Sequence, residues 1–142
     1  MYDINEIYRM LNWQSIGGIM ILINNVLYDE ESKEADVELG SGDVSILCYC
    51  HPAENLDEIY KSINNQLSAF LTKDIIREDT HIAKAEKTND GHYSYLLIGK
   101  VISDTKIQVN DFIIDIGVIP KDIRVGEYVS CSCLRLDIIL LN

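Results

Sequence analysis

The sequence predicts an α+β domain: an antiparallel β-sheet with two helices, and a β-rich C-terminal part able to curl into a small barrel. Three observations carry that expectation. An apolar stripe at three- and four-residue steps runs from near Glu54 to Leu71. Short alternating runs bounded by turn residues recur at roughly ten-residue spacing after residue 76. A chain of 142 residues, 47% apolar, has the core of a single domain, 1–142, made of a mixed part (1–75) and a β meander (76–142).

The elements follow in order. Asp3 caps a first helix, with Glu6 three residues later as in a capping box. Ile4, Ile7, Tyr8 and Leu11 give it one apolar face, and Gly17-Gly18 ends it after Trp13. Ile19 to Ile23 reads as a buried strand and Asn24-Asn25 as a turn into a short partner strand, Val26-Leu27-Tyr28. The polar run from Asp29 reads as a loop in its first half. A strand is expected to start at Val37, with Asp36 and Glu38 facing water. Gly40-Ser41-Gly42-Asp43 turns the chain into a return strand, Val44 to Cys50.

Pro52 ends that strand. Leu56, Ile59, Tyr60, Ile63, Leu67, Phe70 and Leu71 then mark an amphipathic helix, with Glu54, Asp57 and Glu58 at its dipole-favoured start. Beyond it, Ile82 to Glu86, Tyr93 to Ile102, Lys106 to Val109, Phe112 to Ile116 and Tyr128 to Leu141 read as strands. The turns between them fall at Thr88–Gly91, Ser103–Thr105, Asn110-Asp111 and Gly117.

Charge is the strongest functional signal. The chain has 23 acidic and 12 basic residues, a net charge of −11, and residues 1–60 alone carry −10. Such a surface repels phosphate, which disfavours direct binding of nucleic acid or an anionic membrane. From Asp29 to Glu38, only Lys33 is positive among seven charged residues. The opening residues Met1-Tyr2-Asp3-Ile4-Asn5-Glu6 have no basic region or apolar run, pointing away from a secretory leader. The longest nearly apolar stretch, Ile16 to Ile23, is eight residues, against about 20 for a spanning helix. A cytoplasmic location is expected.

Chemical motifs are sparse. Cys48-Tyr49-Cys50 and Cys131-Ser132-Cys133 sit inside apolar alternation. Strand residues two apart have Cα atoms about 6.7 Å apart, whereas two zinc-bound sulfurs want a separation of about 3.7 Å. Reduced core cysteines, with no metal and no cofactor, are the expectation. Gly40-Ser41-Gly42 lies between strands and opens no helix, so it does not make a phosphate cradle. His51, His81 and His92 fall at turns, outside any zinc-protease spacing. Cys50 and His51 are neighbours on a strand and point to opposite faces, so they do not form a thiol–imidazole pair. No enzyme activity is predicted.

What remains is recognition. An acidic patch attracts basic proteins and speeds their encounter. Nuclease-type toxins are typical basic partners, because their clefts hold phosphates that carboxylates can imitate. Asp29, Glu30, Glu31, Glu34, Asp36 and Glu38 are the candidate contact residues, and Trp13 and Tyr28 could anchor such an interface. In its compact size, its acidic stretch Asp29 to Glu38, its N-terminal charge excess and its lack of a catalytic signature, the chain resembles the small acidic immunity proteins that bacteria encode beside secreted or contact-dependent toxins. That resemblance implies binding and neutralisation of a cognate basic toxin. These proteins share no motif, so no residue is carried over. Separately, Val118 to Val129 looks like a connection entering a barrel strand and resembles OB-like domains over roughly residues 92–142. This implies the rival reading of a nucleic-acid or small-ligand module, beside that of an accessory subunit in a larger assembly. Tyr93, Tyr95, Phe112 and Tyr128 would serve the former, but the bases around them are scattered.

Overall fold

A computed structural model describes residues 21–55, 57 and 67–139. The expected first helix, Trp13, most of the Glu54–Leu71 helix and the end of the last strand lie outside the described residues. What is described is β-structure: eleven strands in one mixed sheet, not an α+β arrangement. They are β1 (Leu22–Asp29), β2 (Glu34–Ser41), β3 (Val44–Cys50), β4 (Leu67–Phe70), β5 (Lys73–Glu78) and β6 (Lys84–Lys87). After these come β7 (Tyr95–Val101), β8 (Lys106–Val109), β9 (Phe112–Asp115), β10 (Tyr128–Cys133) and β11 (Arg135–Ile138).

The order across the sheet is β1-β2-β3-β11-β4-β9-β8-β7-β10-β5, with β6 on β7. Two neighbour pairs, β3 with β11 and β4 with β9, are parallel, so the sheet is mixed where pure antiparallel pairing was expected. It is also open: among the described residues its ends, β1 and β5, do not pair, so the small barrel is not closed. Both end strands carry a bulge, at Asn24 in β1 and near Asp74 in β5. Bulges of this kind twist an edge away from chance pairing.

Four local expectations change for physical reasons. Asn24-Asn25 is not a turn, because β1 runs on through a bulge and keeps pairing with β2 down to Asp29–Glu34. The acidic run turns in its first half as expected, at residues 30–33, but β2 begins at Glu34 rather than at Val37 because the hairpin pairing with β1 already starts there. Leu67–Phe70 is a strand rather than a helix end. Its backbone pairs with β11 on one side and β9 on the other, and that pairing overrides the three- and four-residue periodicity. The final strand is two strands, since the chain breaks at Leu134 and changes partners. β10 pairs with β7 and β5, and β11 with β4 and β3.

The sheet folds over, so one core fills between its two halves. Val37, Leu39, Ile46 and Cys48 of β2 and β3 share it with Leu97, Ile107, Phe112, Val129 and Leu136. Polar bonds seal the fold where strands distant in the sheet meet. The Leu47 N–H of β3 donates to the Tyr95 hydroxyl of β7 at 2.8 Å. At the opposite turn, the Asn110 side-chain amide donates to the Ser41 carbonyl at 2.7 Å, and the Asp111 N–H donates to the Ser41 hydroxyl at 3.1 Å. Gly99 lies where β7 passes from β6 to β8. A Cβ there would stand 2.8 Å from the Gln108 carbonyl oxygen, so only glycine admits the close approach.

Candidate protein-interaction surface

Alternation along β2 sorts its residues. Ala35, Val37 and Leu39 enter the core, while Glu34, Asp36 and Glu38 stay on the outward face. The six acidic residues singled out from the sequence therefore lie on one hairpin, but they do different work. The Asp29 carboxylate accepts the Glu31 N–H at 2.9 Å, and this bond and the Ser32 hydroxyl hold its pKa below the ordinary range. Glu30 and Glu31 stand exposed in the turn. Glu34 accepts the Tyr49 hydroxyl at 3.0 Å, and Asp36 accepts the Tyr93 hydroxyl at 2.7 Å. Glu38 is half-buried, between Asn25 of β1 and Leu47 of β3 in register.

The turn is braced from beneath. The Tyr28 hydroxyl donates to the Ala53 carbonyl at 2.6 Å, and the Ala53 N–H donates to the Lys33 carbonyl at 2.9 Å. His51 Nε2 lies 3.1 Å from the Ser32 carbonyl oxygen. Lys33 adopts a left-handed φ of 62°, and its ammonium is 3.9 Å from Glu54. Two clefts flank the hairpin and share Tyr28. One, of about 550 Å³, is lined by Tyr28, Glu30, Lys33, Glu54, Asn55 and Asp57. The other, of about 310 Å³, is lined by Leu27, Tyr28, Asp29, Glu34, Ala35, Asp36 and Tyr93. Three carboxylates line each. Tyr28, expected as an anchor, has its hydroxyl committed to the turn.

Sequence reasoning missed the neighbouring stack. Register places Asp36, Tyr49, Asp137 and Ser68 in one row across β2, β3, β11 and β4, with Arg135 beside Phe70 in the next. The Arg135 guanidinium carbon lies 4.6 Å from the ring centroids of both Tyr49 and Phe70. Its Nε and Nη2 donate to the two Asp137 carboxylate oxygens at 2.5 and 3.0 Å. Tyr93 meets Tyr49 edge-on at 5.7 Å, and His92 meets Tyr93 edge-on at 4.6 Å. The Asp36 hydrogen bond and then burial push the Tyr93 phenol up to about 12. Burial, followed by the Glu34 hydrogen bond and charge, raises Tyr49 in the same direction. The available signal was Arg135-x-Asp137 in an apolar run, since residues two apart on a strand share a face.

The other sequence candidates are placed as follows. All four cysteines are free and buried. Burial pushes the thiols of Cys131 and Cys133 up to about 12 and about 11, and that of Cys48 higher still, so all three stay protonated. All four cysteines belong to one core cluster, and Cys48 couples electrostatically with Cys50 and Cys133, which brings the two Cys-x-Cys pairs into one region. No three His, Cys, Asp or Glu side chains converge on a metal-sized site among the described residues. His51, His81 and His92 are exposed, with His81 stacked on Tyr128 at 4.7 Å. No helix among the described residues is long and apolar enough to cross a membrane. No protein-family model, curated protein or solved structure matches this chain.

Proposed function

We propose that this protein is a cytoplasmic immunity protein, without catalytic activity, that binds and neutralises a basic, nuclease-type protein toxin through its acidic surface. One observation carries the reading: the carboxylates from Asp29 to Glu38 project from a single braced hairpin, so negative charge is presented in fixed positions. Fixed charge both steers a basic partner and opposes wrong ones. The rival nucleic-acid reading is weaker, because of its four rings Tyr95 and Phe112 are buried and Tyr93 holds Asp36 at its hydroxyl, while Tyr49 beside it holds Glu34. A phosphate backbone following those rings would meet carboxylates.

The test is co-expression with the protein encoded by the adjacent reading frame. The expected result is a basic protein that is toxic alone, harmless beside this chain, and purified with it as a complex. Adjacent frames that encode no basic protein, or toxicity unchanged by co-expression, would overturn the reading.

A further inference from the structure

We propose that Phe70, Arg135 and Tyr49 form the anchoring centre of that interface, where the basic partner seats an apolar side chain flanked by Lys or Arg. The inference rests on the function proposed above and divides it in two: the hairpin steers, and the stack holds.

The stack has features that anchoring needs. Its side chains are pinned before any partner arrives. Arg135 lies between two rings, fixed by both Asp137 oxygens, and Tyr49 is fixed through Glu34. Side chains already held in one rotamer lose little entropy on binding. Tyr and Arg are also the residue types that dominate binding energy at interfaces. Phe70 remains 43% exposed and Ile139 45% exposed, so apolar surface is available where it would be desolvated.

A notch of about 350 Å³ opens beside the stack, between Tyr49, His51, Pro52, Arg135, Asp137 and Ile139. It has room for a large side chain. The charge around it selects the partner. Asp137 cancels Arg135, which leaves Glu34 and Asp36 as the nearest uncancelled carboxylates on the same face. An apolar residue with basic neighbours matches that pattern, and an acidic peptide or a phosphate does not.

The experiment measures association and dissociation rates for the adjacent-frame protein against wild type, Phe70→Ser, Arg135→Gln and the Glu30→Lys/Glu31→Lys double variant. Phe70→Ser and Arg135→Gln should each raise the dissociation rate by about 30-fold, with the association rate within about twofold of wild type. The double variant should do the reverse, slowing association and leaving dissociation alone. Wild-type rates of dissociation in both stack variants would overturn the anchor and leave the function standing. Absence of binding by wild type would overturn both. Amide exchange on the wild-type complex keeps the test independent of variant folding. Binding should protect β4 and β11, and unchanged exchange there would overturn the anchor.

Discussion

Tyr93 donates its hydroxyl to Asp36 at 2.7 Å, tying the residues before β7 to the middle of β2 across 57 positions of sequence. The bond closes the outward side of the folded sheet, as the Tyr95 hydroxyl does along β3. It also stores a pH dependence. Folding raises the Tyr93 pKa from an ordinary 10 to about 12, so the folded state holds the phenolic proton more tightly. Stabilisation is complete below pH 10 and is lost as pH rises towards 12. Tyr93→Phe should cost about 1 kcal/mol at neutral pH, and its deficit relative to wild type should shrink above pH 10. Denaturant titrations at both pH values check this, and a deficit independent of pH would sink it.

Glu30 and Glu31 differ from Glu34 and Asp36 in a way that charge counting conceals. The first two face water from the turn, and the last two each hold a tyrosine. Reversing Glu30 and Glu31 should therefore move stability by no more than about 0.5 kcal/mol, while slowing partner association and flattening its salt dependence. Asp36→Lys should cost about 1–3 kcal/mol by itself, because it strands the Tyr93 hydroxyl. Melting curves and stopped-flow association at two ionic strengths separate these effects. Equal destabilisation by both changes would mean that the turn residues are structural too.

Which parts of this could be read from residues alone follows from where the information lies. Alternation in Val44, Ile46, Cys48 and Cys50 is a local signal, and all four side chains are buried on one face of β3. The Asn110-Asp111 turn between β8 and β9 is equally local, since Asn110 takes a left-handed φ of 52° that asparagine tolerates. Leu67–Phe70 fails as a local signal. Its spacing suits a helix, and only β9 and β11, far along the chain, make it a strand. Leu134 fails likewise: nothing nearby shows that Cys133 and Arg135 have different strand partners. For the candidate surface, the acidic residues were legible as charge. Their bonds to Tyr49 and Tyr93 depend on tertiary register and were not.

Burial makes the cysteines inert rather than reactive. Cys131 and Cys133 have thiols pushed up to about 12 and about 11, and Cys48 is shifted in the same direction, so thiolate is scarce near neutral pH. A disulfide-exchange reagent should therefore label the native protein only as fast as the protein opens. All four thiols should titrate at once in denaturant. Rapid native labelling of even one thiol would contradict this burial. Because folding holds these protons too, the stability the thiols contribute begins to be lost above their ordinary value of 9, and that loss runs into the one caused by Tyr93 above pH 10.

Gly99→Ala tests how closely β8 must cross β7. The added Cβ would meet the Gln108 carbonyl oxygen at 2.8 Å, Val109 Cγ2 at 3.0 Å and Ile107 Cδ1 at 3.1 Å. Two of these are side-chain tips that can shift, but the first is backbone in a paired strand. Overpacking of this kind costs about 1–3 kcal/mol, and the denaturant midpoint should fall with an unchanged slope. Gly117→Ala offers the contrast: it has open space around it but a φ of 85°, so its penalty is conformational and no neighbouring truncation can relieve it. Val109→Ala then identifies the obstacle at Gly99. If the carbonyl is what clashes, removing the Val109 methyls adds the cost of a cavity, and the double variant is the least stable of the three. Recovery of stability in the double variant would instead make the valine side chain the obstacle, and the β7–β8 backbones would have room to spare.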